Sequence, residues 1–125
     1  MSLCVATYDN NFVYKVRRDI YKVKVNDIVY LESTKRIVTL YLADGSQKEF
    51  YGKLRDVFYE QLQKFDFLLI HASFAINFDY IWGLKNDSIA LNHSCKNVFL
   101  PISRQRKKEV RTHYLSIMKK RGMFE

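Results

Sequence analysis

The residues in this chain best suited to chemistry are its cations. Arg104, Arg106, Lys107, Lys108 and Arg111 crowd into eight positions of the stretch LPISRQRKKEVRTHYLSIMKKR, residues 100–121. A guanidinium presents a planar fork of donors and an ammonium a compact point charge, so the cluster suits contact with phosphates. Residues 104–125 hold eight of the 21 Lys and Arg against two acids, and so carry +6 of the formal net charge of +8. The preceding 103 residues are nearly balanced. Charge concentrated on one element reads as an electrostatic footprint for a polyanion, the plain alternative being the solvated face of a terminal helix. A smaller cationic point is Lys35-Arg36, preceded by Glu32-Ser33-Thr34 and set between two apolar runs. Two adjacent cations at a hairpin tip, flanked by small hydroxyl residues, would project beyond a sheet toward phosphates and base edges, unless the turn is merely solvated.

Other chemistries are poorly served. His71, His93 and His113 share no spacing, and the one close pair, His93-Ser94-Cys95, has no further ligands nearby, so no metal site is expected. Ser73 sits in HASFA and not in a GxSxG turn, and four glycines are too few for a phosphate-cradling loop. With no convergent acid, base or nucleophile, the chain does not read as an enzyme, and no cofactor is expected. His71 and Ser73 emerge where an apolar run, 67–70, leaves the core, and a hydrogen-bonded strand-end histidine is the plain reading. Asn77, inside another apolar run, is expected to satisfy buried backbone.

The elements that must position these residues follow from periodicity. A length of 125 residues implies one domain with its own core. Cys4 and Cys95 lie too far apart in sequence, and without paired spacing, to suggest a disulfide framework, so free thiols and a cytoplasmic location are expected. No stretch is long and apolar enough for a membrane span. Residues 1–11 read as a linker or cloning remnant, 12–121 as the domain, and 122–125 as a tail. Alternation over Phe12, Tyr14, Val16 and then Tyr21, Val23, Val25 predicts a hairpin interrupted by Arg17-Arg18-Asp19. Strands follow at 28–31, 37–42 and 47–51, the last two joined by Ala43-Asp44-Gly45-Ser46, whose Asp-Gly pair suits a type I′ turn. Leu54, Val57, Phe58, Leu62 and Phe65 share one helical face. A further strand at 67–70 leads through 73–79 into a meander with cores at 80–84, 89–91 and 98–100. Ser103 is expected to cap a last helix lined by Val110, Tyr114, Ile117 and Met118, with Gly122 as its stop. The expected fold is mainly β, about nine or ten short antiparallel strands with one inserted helix and a C-terminal helix.

Taken in order, DIVYLES, TKR, EFYGKL, FLLIHASFAIN, the region of Ile81 and LPISRQRKKEV resemble the LytTR family of bacterial DNA-binding domains. Those domains usually form the output end of two-component response regulators. The similarity runs from about Tyr21 to Leu115 and is strongest, through Glu49-Phe50-Tyr51-Gly52, with the family's quorum-sensing regulators. The resemblance implies an elongated antiparallel fold that enters two successive major grooves with loops, with a minor-groove contact between them. It also implies transcriptional regulation, double-stranded DNA with paired short repeats as partner, a dimer on that DNA, and a receiver domain or sensor-kinase system in the full-length protein. Carried onto this chain, the first reading loop is Ser33, Thr34, Lys35 and Arg36, with Lys35 or Arg36 on a base. Arg104 is the second base reader, Ser103, Arg106 and Lys107 hold phosphates, and His71 to Ser73 lie near the backbone and the intervening groove. Two other classes stay open on the residues alone: an RNA-binding module that stacks bases on aromatics, and a basic surface for proteins or anionic membranes.

Overall fold

Every second residue of the strands from Ile28 to Tyr51 must find cover on one side and the intervening residues on the other. The structure, a computed structural model, describes residues 10–93 and 96–123 and shows how both demands are met. Its central sheet has five antiparallel strands in the order β5-β4-β3-β7-β6. These are β3 (Ile28–Thr34), β4 (Ile37–Leu42), β5 (Gln47–Tyr51), β6 (Phe67–His71) and β7 (Phe74–Asn77). One face contributes Leu31, Val38, Leu40, Phe50 and Ala75 to a buried cluster with Phe12, Leu54, Phe58 and Leu62. The other contributes Tyr30, Leu68, Ile70 and Ile76 to a second cluster with Ile89, Leu91, Leu100, Val110 and Ile117. With apolar partners on both sides, β3 needs the unbroken run Ile28-Val29-Tyr30-Leu31, all four residues buried.

The first face is covered by the hairpin β1 (Asn11–Val16) and β2 (Asp19–Lys24) and by a helical segment, residues 54–65. That segment opens as α1 (Leu54–Val57), widens into a π turn (Phe58–Leu62) and closes as a 3-10 turn (Gln63–Phe65). Leu54, Phe58 and Leu62 still point inward at intervals of four, while Gln61 clips the hairpin in place. Its amide donates to the Val13 carbonyl at 2.8 Å, and its oxygen accepts from the Val13 N–H at 2.9 Å. The second face is covered by the three-stranded sheet β10-β9-β8 and by α2 (Lys107–Lys120). Its strands are β8 (Ile81–Leu84), β9 (Ser88–His93) and β10 (Lys96–Pro101).

The mainly β architecture, with ten strands, an inserted helical segment and a terminal helix, is the one expected. Asn77 behaves as its burial requires, donating to the Ile28 carbonyl at 2.9 Å and accepting from the Asp79 N–H at 3.0 Å. Gly122 adopts φ +69°, and Met123 N–H reaches back to the Met118 carbonyl, so the expected helix stop is present. Three local expectations change. Asn11 opens β1, paired with Lys24, and does not belong to a leading linker. Phe74–Asn77, read only as a lead into the meander, is a strand next to the sheet centre, paired with both β3 and β6. The Asp44-Gly45 pair does not form a type I′ turn. Only Gly45 has positive φ, and Asp44 instead accepts from the N–H and hydroxyl of Ser46. The expectations for Cys4 and Cys95 fall outside the described residues.

Candidate nucleic-acid interface

Strand direction decides which turns share an end of the sheet. β3, β5 and β6 all finish at one end, where β4 and β7 begin, so the β3–β4 turn, the end of β5 and the β6–β7 turn lie side by side. The β3–β4 turn consists of Lys35 and Arg36 alone, since Thr34 pairs with Ile37. Both have left-handed backbone, φ +49° and +71°, as a type I′ turn demands. For residues with a Cβ that conformation costs about 1–2 kcal/mol each, and Asn-Gly would avoid most of it. The chain thus holds two adjacent cations on a strained tip, as it holds one strained cation, Arg17, at the β1–β2 tip. Beneath them Tyr30 and Tyr41 stack with ring centroids 4.3 Å apart, and the Tyr41 hydroxyl donates to Glu32 at 2.9 Å. Burial, followed by that bond to Glu32, pushes the Tyr41 hydroxyl well above its ordinary pKa, so it remains a donor. From the other side the Gly52 N–H donates to the Arg36 carbonyl at 2.9 Å.

Two backbone hydrogen bonds connect this tip to the other expected site residues. The Ser33 N–H donates to the Ser73 carbonyl at 2.9 Å, joining the first loop to the β6–β7 turn. In that turn His71 Nδ1 accepts from the Ser73 N–H at 3.0 Å, which leaves Nε2 to carry the proton of the neutral ring. The β6–β7 register shifts between Leu69 and His71, and the Ile70 carbonyl within that shift accepts from the Ser103 N–H at 2.9 Å. Ser103 to Arg106 therefore stands at the β6 side of the same sheet end. These bonds bring Ser33, Thr34, Lys35, Arg36, His71, Ser73 and Ser103 to one end of the central sheet, and Arg104, Arg106 and Lys107 follow Ser103 in the chain on its β6 side.

One of them, Ser103, is not arranged as the sequence suggested. Ser103 stands at the N-cap position of a 3-10 turn but makes no side-chain capping bond. Its Oγ is enclosed without a hydrogen-bond partner, and the chain enters α2 through a 3-10 turn (Arg104–Arg106), with the Arg106 N–H donating to the Ser103 carbonyl. An enclosed hydroxyl is badly placed to meet a phosphate, so Ser103 serves as an anchor through its backbone. Arg106 is half-buried and lies 4.0 Å from Glu109. By contrast Lys35, Arg36, Arg104, Lys107, Lys108 and Arg111 form no ion pair among the described residues.

One surface residue at this end was missed. Tyr51 ends β5 with 81% of its surface exposed, paired with Ile37 beside the Lys35-Arg36 turn. Alternation carried the signal, since Phe50 faces the core and its neighbour must face out. Among the described residues there is no group of three or more His, Cys, Asp or Glu able to hold a metal, and no helix long and apolar enough to cross a membrane.

Residues 18–114 match the family described as LytTr DNA-binding domain. Among solved structures, the LytTr DNA-binding domain of a methyl-accepting/DNA response regulator from Bacillus cereus aligns with a TM-score of 0.60 at 17% identity. The alignment covers 85% of this chain and 96% of that one, a likeness of fold. No curated protein matches the chain significantly. With most of its length inside the family's span, the chain belongs to the LytTr DNA-binding domain family, a non-enzymatic module that binds DNA in transcriptional regulation.

Proposed function

We propose that the chain reads a specific double-stranded sequence with the row of turns at the end of its central sheet. Arg104 donates two bonds to guanine O6 and N7 from one major groove, and Lys35 or Arg36 contacts a base in the next. Lys107 and Arg106 hold phosphates, and His71 to Ser73 face the groove between. The row sets the scale. Five strands span about four strand spacings, roughly 19 Å, well short of the ~34 Å between centres of successive major grooves. The protein therefore straddles one minor groove and enters the near margins of the major grooves on either side.

The observation that carries this reading is the pair of backbone bonds, Ser33 to Ser73 and Ser103 to Ile70, that fixes the three turns against one another. A reader built on loops needs such bracing, because a base contact tolerates little misplacement. In the full-length protein a receiver domain or sensor-kinase system supplies the signal, and two copies occupy paired short repeats.

The test is a comparison of Arg104→Ala with Lys107→Ala on selected and scrambled duplexes at several salt concentrations. Arg104→Ala is expected to remove about 1–3 kcal/mol of discrimination between the two duplexes. Lys107→Ala is expected to weaken both alike and to lower the salt slope by about one unit. Equal losses on both duplexes for Arg104→Ala would remove it from the base-reading role.

A further inference from the structure

Beyond the row lies a second concentration of charge. The β8–β9 turn, Lys85-Asn86-Asp87, sits against the segment that carries Arg104, because the Ile102 N–H donates to the Asp87 carbonyl at 2.9 Å. Between this turn and the first two turns of α2 is a recess of about 150 Å³. Leu84 and Ile102 contribute its apolar lining, Asn86 an amide, and Lys85, Lys107, Lys108 and Arg111 its charge, with no carboxylate lining it.

The placement of these cations works against the helix that bears them. Lys107 and Arg111 are four residues apart and Lys108 and Arg111 three, spacings at which like charges repel. They also occupy the beginning of α2, where the backbone dipole favours acids. None of the three pairs with an acid among the described residues. The Lys85 ammonium lies 5.3 Å over the Phe99 ring, and with Lys107, Lys108 and Arg111 it borders a recess whose lining holds no acid, close in the chain to Arg104.

We propose that this recess takes a phosphodiester of the bound duplex outside the bases read by Arg104, with Lys85 and Arg111 extending the footprint past the reading loops. The proposal rests on the DNA-binding reading above and adds a contact that the β8–β9 turn supplies.

The test uses a duplex recovered by selection from a random pool, at full length and trimmed stepwise from each end, against the whole chain and Lys85→Ala/Arg111→Ala. On the long duplex the double variant is expected to lose roughly tenfold to a hundredfold in affinity and about two units of salt slope. Trimming from one end is expected to bring the wild type down to the variant, and Lys85→Arg/Arg111→Lys to restore binding on the long duplex. Lys15→Ala/Lys22→Ala removes equal charge from the β1–β2 hairpin and is expected to leave binding nearly unchanged. An unchanged affinity and slope for Lys85→Ala/Arg111→Ala, while Arg104→Ala still loses discrimination, overturns the phosphate site and leaves the reading row standing. Equal losses for the hairpin variant, or a deficit that survives trimming from both ends, would reduce the effect to net charge and overturn it as well. If the wild type selects no duplex, the row and the recess fail together.

Discussion

The two ends of α2 carry the same residue types and use them in opposite ways. At its start Lys107, Lys108 and Arg111 border a recess and pair with no acid among the described residues. At its finish Lys120 donates to Asp66 at 2.8 Å, and Arg121 reaches Asp66 at 2.9 Å and also Asp79. The Arg121 guanidinium further lies 4.9 Å from the centre of the Phe78 ring. Burial opposes ionisation of Asp66, but the hydrogen bonds from Lys120 and Arg121 outweigh it and hold the carboxyl below its usual range. Net charge therefore overstates the footprint. Cations at the far end fasten the helix to the turn that precedes β6, and those at the near end are the ones proposed to meet DNA.

Variants at the two ends should separate binding from stability, and the largest effect belongs to the free end. Arg104→Ala/Lys107→Ala removes the proposed base reader and the proposed phosphate contact, and is expected to weaken the selected duplex roughly a hundredfold at about 0.1 M salt. Its thermal midpoint should stay near that of the wild type, since neither side chain makes an ion pair among the described residues. A large drop in the midpoint would show that the free end also holds the structure together.

The Lys35-Arg36 tip offers a sharper contrast, because there stability and binding should move in opposite directions. Replacement by Asn-Gly relieves two left-handed residues that each cost about 1–2 kcal/mol, so Lys35→Asn/Arg36→Gly is expected to gain up to about 2 kcal/mol in denaturant unfolding. It should at the same time weaken DNA binding at least tenfold. A variant that gained stability and kept its affinity would return this turn to the status of a solvated loop. Strain held at a tip that could so easily relax is the pattern expected where a side chain is kept for function.

Much of this was legible in the residues. The strand alternation, the Leu54-Phe58-Leu62 stripe, the cationic stretch after Pro101 and the order of motifs all survive folding, because each is set by local spacing. What could not be read depends on contacts between distant segments. β7 has four residues and no period, and gains its place only by pairing with β3 and β6. The type I′ backbone appears at Lys35-Arg36 and not at Asp44-Gly45, because the two-residue connection is fixed by pairing Thr34 with Ile37, against local preference. Ser103 has the right residue type for a cap, yet its hydroxyl is enclosed while its N–H is engaged by Ile70. Lys120 and Arg121 looked like part of the cationic surface, and only the turn at Asp66 shows that they are structural. Asp66 itself takes φ +65° at the end of the helical segment 54–65, a position from which its carboxylate meets α2.

The clamped end makes the smaller predictions. Asp66→Asn keeps the shape of the side chain and removes its charge, and is expected to lower stability by about 1–2 kcal/mol at neutral pH without altering affinity for DNA. The figure lies toward the low end for charge-assisted hydrogen bonds because Lys120 is largely in water. The pH dependence of that difference tests its cause. The folded carboxyl is depressed from its ordinary value of 3.8, so ionisation contributes stability that is complete above that value and is lost as pH falls through the lower folded value. Asparagine does not titrate, so the gap between wild type and variant should be constant from pH 7 down to about 5 and close progressively below about 4. Urea unfolding at closely spaced pH values measures it. A gap that persisted undiminished to pH 2 would mean that Asp66 stabilises the turn by shape and neutral hydrogen bonding, and the contrast between the two ends of the helix would no longer be one of charge.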